Sequence, residues 1–311
     1  MNSQLDKNAV LLLAYLRPQH TLNALVSIKK YYPNKLYVFI DGLKPDAPRS
    51  DTMTQKKIIQ AIKRVNPAKK IIICHHSGNL GCGYAMPFAL DWIFEKEDQA
   101  IILEDDVVPS LSFFNFMDNC LDRFAERQDV MMVSGNKYDP MPQFGSARLT
   151  KYSFTYGWAT WKNRWALYDH KISFLDEQNT NLFLYKHLLP FPIFQRDYRA
   201  AIKKLKAYKE ISFWDYQWQI LLWYKEGLSV QPPNNLAKNI GFDQKGTHTL
   251  AADWRGVRVA HELCHIRTPE VKEPSKFFEI IMALYKSGFP RLIHRIKKTM
   301  LESFELTKKN L

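Results

Sequence analysis

Eleven residues decide how this chain folds, and they read QAIILEDDVVP from Gln99 to Pro109. An apolar run rich in isoleucine is followed directly by Glu104, Asp105 and Asp106. The run is typical of a buried strand in a parallel sheet. Ligands of open α/β sheets bind at the carboxyl ends of the strands, so the three acids are predicted to lie where a ligand binds.

The acidic triplet is a candidate metal site. If the strand continued through it, Glu104 and Asp106 would share one face and Asp105 would lie opposite. Hard oxygen ligands suit Mg²⁺ or Mn²⁺, and Mg²⁺ is usually shared with substrate phosphates. Taken alone, the triplet is more typical of an acidic surface turn before Pro109.

The pattern around this stretch alternates strand and helix through the first 135 residues. Such a rhythm predicts a mostly parallel, Rossmann-like sheet with helices on both faces. The predicted strands cover residues 10–16, 36–40, 70–74, 99–104 and 130–134, and the predicted helices cover 20–31, 55–65, 84–95 and 111–125.

The rhythm breaks after residue 135. Residues 136–165 are aromatic and are expected to form loops, two helices are expected at 193–208 and 214–226, and a strand at 234–242. We therefore expect a nucleotide-binding part at 1–135 and an acceptor-binding, catalytic part at 136–270 of the same domain.

The last segment, 271–311, differs in composition from the rest. It carries nine Lys or Arg against four Glu, interleaved with Phe, Ile and Leu, and Pro290 is expected to divide it into two helices. It is either a helical tail that packs on the domain or an amphipathic anchor with a basic face on an anionic membrane.

Charge and composition narrow the class of protein. The net charge is +13, which favours polyanionic ligands, but neither a zinc-finger spacing nor a basic recognition helix points to nucleic acid. The four cysteines form no CxxC pair, which is typical of reduced thiols, and no apolar run reaches the length of a membrane span. We expect a cytoplasmic protein, with the tail as the candidate for peripheral contact with the inner face of the membrane.

Further candidate residues follow other predicted strands. Asp41 ends the second strand on the same rim as the acidic triplet, where carboxylates often accept hydrogen bonds from a ribose, although Asp-Gly is also a common turn. The loop from Gly78 to Gly83, which contains Asn79, is neither a Walker A nor a GxGxxG sequence. It is interpreted as a tight turn that brings the backbone close to a ligand.

Three candidates lie in the second half of the chain. Asp215 stands among four aromatic residues, a setting that raises a carboxylate pKa and suits a general base, though it also suits a helix cap. His248, in a Gly-Thr-His-Thr loop, is a candidate metal or phosphate ligand. The segment His261–His265 matches the zinc-peptidase pattern HExxH, but Val257 and Val259 before it favour a strand rather than the helix that this motif needs.

The order of these motifs resembles a known family. The chain is similar to the N-acetylglucosaminyltransferase I group of inverting GT-A glycosyltransferases and to its bacterial relatives, over about residues 8 to 250. The similarity rests on Glu104-Asp105-Asp106, Tyr156-Gly157-Trp158 with Trp161, Phe213-Trp214-Asp215, Asn239-Ile240-Gly241-Phe242 and Gly246-Thr247-His248.

The resemblance implies a role for each candidate. Arg17 and Asp41 would hold the nucleotide, Asp106 the divalent metal on the diphosphate, and Glu104 and Asp105 the donor sugar or ribose. Asn79 would assist in donor binding from its loop, His248 would lie at the diphosphate and metal, and Asp215 would be the base. The chain departs from the family after the tryptophan, where a carboxylate pair is replaced by Asp215 and Tyr216.

The resemblance also implies a reaction. A hexosyl or N-acetylhexosaminyl group would pass from a nucleotide-diphosphate sugar to a hydroxyl of a glycan or lipid-linked acceptor, such as a precursor of a bacterial surface polysaccharide. Two alternatives stay open: a sugar-phosphate nucleotidyltransferase, and a non-catalytic glycan-binding protein. The first would need a Gly-rich basic turn after the first strand, which residues 17 to 21 lack, and the second leaves the acidic triplet unexplained.

Overall fold

A computed structural model describes residues 7–137, 146–176, 178–188, 192–207, 211–241, 260 and 271–286. The strands are β1 (Ala9–Ala14), β2 (Lys35–Ile40), β3 (Lys70–His75), β4 (Gln99–Glu104), β5 (Val107–Pro109), β6 (Val130–Ser134), β7 (Ala147–Thr150), β8 (Trp158–Trp161), β9 (Leu228–Gln231), β10 (Ala237–Asn239) and β11 (Val271–Lys272). The helices are α1 (Pro18–Tyr31), α2 (Arg49–Val65), α3 (Cys82–Phe94), α4 (Leu111–Arg123), α5 (Lys162–Trp165), α6 (Thr180–His187), α7 (Pro192–Lys206), α8 (Asp215–Tyr224) and α9 (Lys276–Lys286).

Nine of the described strands form one mixed sheet in the order β11-β7-β9-β6-β8-β4-β1-β2-β3. The predicted fold class is confirmed: the sheet is mostly parallel, and β4, β1, β2 and β3 lie side by side in parallel. The two central strands, AVLLLA in β1 and QAIILE in β4, are nearly continuous apolar runs because both of their faces are covered.

The two faces of the sheet carry separate hydrophobic cores. Side chains alternate along β1, so Leu12 packs against α1, α2 and α4, while Leu11 packs on the other face with α3 and α8. Helices therefore cover both faces, as the sequence predicts. A third core joins Tyr152 and Trp223 to residues of α6, α7 and α9.

The strand order reverses beside β1. From β1 the chain moves outward to β2 and β3, and then returns to the opposite side of β1 as β4. Connections that leave two neighbouring strands in opposite directions open a crevice at their carboxyl ends. Arg17 follows β1 and the acidic triplet follows β4, so this crevice lies between the two groups.

The prediction that residues 136–165 form loops is wrong in part. That segment contains β7 and β8, and β8 runs antiparallel between β4 and β6. The strand at 130–134 is therefore not the neighbour of the acidic strand. The sequence WATW of β8 hides its strand character because all four residues are buried, which removes the alternation that marks a half-exposed strand.

Helix α2 begins at Arg49, earlier than the helix predicted at 55–65. The short elements α6 and β9 were not predicted, and the expected strand at 234–242 shrinks to β10, which pairs with β5.

The described part of the basic tail packs on the domain. Helix α9 buries Phe278 and Met282 in the third core, while Phe277 and Ile280 are 65% and 50% exposed. Arg127 pairs with Glu273 just before the helix. The expected break at Pro290 lies outside the described residues. Within the described chain, no helix combines the length and the apolar character that crossing a bilayer requires.

Candidate functional site

The acidic triplet and Arg17 meet in the crevice between β1 and β4. The Arg17 guanidinium Nη1 lies 3.0 Å from Asp106 Oδ2 and 3.8 Å from Asp105 Oδ1. The strand ends at Glu104 and the chain turns, so Asp105 and Asp106 both approach the same cation. The expected alternation, with Asp105 facing away from Asp106, therefore does not occur.

Negative charge exceeds positive charge among these groups. Burial raises the pKa of Glu104 well above its usual range, and the neighbouring carboxylates raise it further. Burial and the charge of Asp106 raise the pKa of Asp105 to about 7, against the opposing effect of Arg17. Burial also raises the pKa of Asp106, although Arg17 lowers it. A cation or a hydrogen-bond donor from a ligand would offset the burial of these acids and the repulsion between them.

The backbone that follows β10 lies against Asp106. The Ile240 N–H donates to the Asp106 carbonyl at 2.7 Å, and His20 Nε2 donates to the Ile240 carbonyl at 3.3 Å. A Cβ atom on Gly241 would lie 2.1 Å from Asp106 Oδ2. Gly241 is part of the motif quoted for the resemblance, but its contact with the acidic triplet could not be foreseen from the sequence.

Asp41 and Asn79 come together at the glycine-rich loop. Asp41 Oδ1 accepts hydrogen bonds from the backbone N–H groups of Gly42 and Leu80, both at 2.9 Å. Its Oδ2 accepts from the Asn79 amide at 3.0 Å and from the Gly81 N–H at 2.9 Å. The carboxylate thus fixes the loop that leads into α3, and any ligand contact of these side chains is additional to that role.

Gln55 supports this rim and was missed at the sequence level. Its buried amide donates to the Asp41 carbonyl at 2.7 Å, and His75 Nε2 donates to its Oε1 at 2.8 Å. The only available signal was a polar residue on the buried face of the amphipathic helix α2.

Asp215 begins α8 and is close enough to the acidic triplet to act on it electrostatically. Trp214 is the residue that caps this helix, so Asp215 is not a capping residue; it lies in the first turn, where the helix dipole favours an acid. The charge of Asp215 contributes to raising the pKa of Glu104, which places the two carboxylates in one electrostatic neighbourhood. Neither side chain makes a hydrogen bond or ion pair within the described chain.

The surroundings of Asp215 are aromatic, as the sequence predicts. Trp214 is 3% exposed and stacks on Trp158 at 5.4 Å between ring centroids. The Tyr168 hydroxyl donates to the Trp214 carbonyl at 3.4 Å and therefore holds the start of α8.

Two predicted sites fall outside the described residues. They are His248, the candidate metal ligand, and the HExxH segment. Among the residues that are described, no group of three or more His, Cys, Asp or Glu side chains has the arrangement of a metal site. Cys74, Cys82 and Cys120 are free thiols.

The sequence matches no protein-family model and no curated protein. Among solved structures, 4-diphosphocytidyl-2C-methyl-D-erythritol synthase from Anaerococcus prevotii is 12% identical, with a TM-score of 0.35 over 60% of this chain and 86% of that one. The glycosyltransferase GlyE of Streptococcus pneumoniae is 13% identical, with a TM-score of 0.30 over 71% of this chain and 63% of its own. A UDP-glucose pyrophosphorylase complexed with UDP-glucose is 8% identical, with a TM-score of 0.27 over 47% of this chain and 58% of its own.

Proposed function

We propose that the protein is a GT-A glycosyltransferase that transfers a sugar from a nucleotide-diphosphate sugar to a hydroxyl group, with inversion. One observation carries the proposal. Glu104 and Asp215 share one electrostatic neighbourhood, and neither side chain has a hydrogen-bond partner in the described chain. Unpaired carboxylates at the switch point of an α/β sheet are suited to sugar hydroxyls and to proton transfer.

The donor would lie along the β4 side of the crevice. Arg17 supplies positive charge for a diphosphate, and Glu104 and Asp105 supply acceptors for sugar or ribose hydroxyls. The crowded carboxylates with raised pKa values favour a cation here, but the described residues alone do not bring three ligands into the arrangement of a metal site, so the diphosphate of the donor would have to complete the coordination. Asp106 would hold the cation, with His248 as a further ligand, and Mg²⁺ or Mn²⁺ bound there would neutralise charge on the leaving diphosphate.

Asp215 is the proposed base. Its carboxylate would accept the proton of the acceptor hydroxyl while that oxygen bonds to the anomeric carbon of the donor sugar. The bond from that carbon to the diphosphate oxygen breaks, and the nucleoside diphosphate leaves with the bonding electrons. The buried Trp214, stacked on Trp158, gives this half-buried carboxylate an aromatic neighbour.

The likeness to the N-acetylglucosaminyltransferase I group stays a prediction, as do the hexosyl or N-acetylhexosaminyl donor and the glycan or lipid-linked acceptor. Contact with an anionic membrane is also proposed. The apolar side chains that α9 leaves exposed, Phe277 and Ile280, support it.

The decisive experiment incubates purified protein with a panel of nucleotide sugars, Mn²⁺ and glycan acceptors. A glycosyltransferase releases nucleoside diphosphate and yields a glycosylated acceptor whose new bond has the opposite anomeric configuration to the donor. A parallel panel of nucleoside triphosphates and sugar 1-phosphates tests the alternative, since a nucleotidyltransferase releases pyrophosphate. If the protein binds glycans but turns over neither panel, it is a glycan-binding protein.

A further inference from the structure

Tyr84 lies in the first turn of α3, and its side chain is 44% exposed. Its ring packs against the imidazole of His170, with 4.4 Å between the ring centroids and 34° between the ring planes. The Tyr84 ring is thus backed by protein on one side, while nearly half of the side chain stays open to solvent.

The first turn of α3 touches the segment that leads into α8. A Cβ atom on Gly83 would lie 2.1 Å from the Ile211 carbonyl oxygen and 3.1 Å from the Phe213 nitrogen. Gly83 directly precedes Tyr84, and Phe213 comes two positions before Asp215. The backbone that carries Tyr84 is therefore in contact with the backbone that leads to the proposed base.

A second set of contacts joins His170 to the same helix start. The ring of Tyr168 lies 6.4 Å from that of His170 between centroids, and the Tyr168 hydroxyl donates to the Trp214 carbonyl at 3.4 Å. Trp214 directly precedes Asp215. Both members of the ring pair are therefore tied by short contacts to the first turn of α8.

The imidazole of His170 has hydrogen-bonding capacity that the described chain does not use. Both of its ring nitrogens are buried, and neither has a hydrogen-bond partner within the residues that the structure describes. Burial lowers the pKa of His170, so the ring is neutral near pH 7 and carries one N–H donor and one acceptor. Buried polar atoms are normally paired with protein, water or a ligand. A bound hydroxyl group would pair with this ring once the exposed Tyr84 side chain, which packs on it, shifts.

We propose that Tyr84 and His170 form a subsite for a sugar ring of the acceptor, which makes the acceptor a glycan. A pyranose presents C–H groups on its faces and hydroxyls around its rim. The negative face of the Tyr84 ring attracts the C–H groups, and His170 pairs with a hydroxyl. A lipid chain would instead need a continuous apolar surface. That the ring belongs to the acceptor rests on the proposed function; that the pair binds a sugar does not.

Sugar binding is tested without any donor. The probes are the methyl glycosides of glucose, galactose, mannose and N-acetylglucosamine, titrated against the full chain to tens of millimolar and followed by ligand-observed NMR. Tyr84→Ala should weaken the best-bound glycoside at least about fivefold, the order expected for the loss of an aromatic contact, whereas Tyr84→Phe should keep the affinity. His170→Phe should also weaken it but keep or raise Tm, because this variant keeps a ring against Tyr84 and removes the unpaired nitrogens.

Tyr224→Ala is the matched control. Tyr224 is 46% exposed and packs against Phe174 at 4.5 Å and 35°, but it ends α8, about 13 Å along the helix axis from Asp215. This variant should bind the glycosides as the wild type does. The subsite is overturned if Tyr84→Ala binds as well as the wild type, if both alanine variants lose affinity equally, or if the wild type binds no glycoside. Unchanged affinity in His170→Phe would overturn the role of His170.

The role in transfer is tested separately by steady-state kinetics. With a nucleotide sugar, Mn²⁺ and a glycan acceptor that the wild type turns over, Tyr84→Ala should raise the KM of the acceptor at least about fivefold more than the KM of the donor. Equal changes in the two KM values would overturn the assignment to the acceptor. If no nucleotide sugar is turned over but glycosides bind in a Tyr84-dependent way, the proposed function and the acceptor assignment fall together, and the sugar subsite stands.

Discussion

Replacing Gly241 by alanine should weaken donor binding through Asp106. The new Cβ atom would lie 2.1 Å from Asp106 Oδ2, far inside contact distance. The obstructed atom is the end of a side chain, so the carboxylate can rotate away and the fold should survive. That rotation breaks the 3.0 Å bond from Arg17 Nη1. The rotated carboxylate would also leave the place from which it is proposed to hold the cation, and losing one such charged contact, about 1.5 to 3 kcal/mol, would raise the Kd of a nucleotide sugar with Mn²⁺ about 10- to 150-fold.

A double-mutant cycle with Asp106→Ala isolates the cause. Calorimetry on the wild type, Gly241→Ala, Asp106→Ala and the double variant gives four affinities. Once the Asp106 carboxylate is removed, the contact left to the added methyl group is the Cβ atom of residue 106 at 3.0 Å, which a shift of a few tenths of an ångström relieves. The double variant should therefore bind about as weakly as Asp106→Ala alone. Additive losses in the double variant, or unchanged affinity in Gly241→Ala, would refute this reasoning. Thermal melting of all four proteins checks that the fold is kept.

Four shorter predictions follow from the same contacts. Asp215→Asn should keep donor affinity but lower kcat by about 10²-fold or more, as loss of a general base does, and near-normal turnover would place the base elsewhere. The pKa of Asp105 is raised to about 7 in the folded protein, so between about pH 4 and pH 7 the folded state keeps a proton that the unfolded state has released. Without ligand, Tm should therefore fall as pH rises through this range, and Asp105→Asn should flatten the slope. Phe278→Ala should lower the free energy of unfolding by about 3 to 5 kcal/mol, because the Phe278 side chain is only 2% exposed. Phe277 is 65% exposed, so Phe277→Ala should lower it by less than about 0.5 kcal/mol. Denaturant titrations measure both variants. Replacing both Phe277 and Ile280 by serine should reduce co-sedimentation with anionic vesicles at low salt, and unchanged sedimentation would argue against a membrane role for α9.

The first half of the fold could be predicted because its signals are local. The apolar runs of β1 and β4 are buried on both faces, and the next helix after each of them, α1 and α4, buries one face. The second half gave weaker signals. In β8 every residue is buried, and its pairing with β4 joins residues about sixty positions apart, which no local pattern records.

The candidate site also combines features that the sequence predicts with features that only the folded structure shows. That Glu104, Asp105 and Asp106 end a central strand follows from sequence pattern and the general rule for α/β sheets. The turn that brings Asp105 and Asp106 to one guanidinium, and the close approach of Gly241, depend on tertiary packing. The chemical groups can be identified from the sequence, whereas only the folded chain shows which of them are already paired.

That difference in pairing separates two kinds of acid at the crevice. Asp41 accepts four hydrogen bonds from its own chain, which fills the usual acceptor capacity of a carboxylate. A nucleotide contact at Asp41 stays a prediction, but its structural role is to fix the start of α3. Glu104 and Asp215 have no such bonds within the described chain, and burial with like charge disfavours the ionised form of Glu104. An acid that is costly to leave unpaired gains most from a ligand, so a substrate hydroxyl should be held by Glu104 rather than by Asp41.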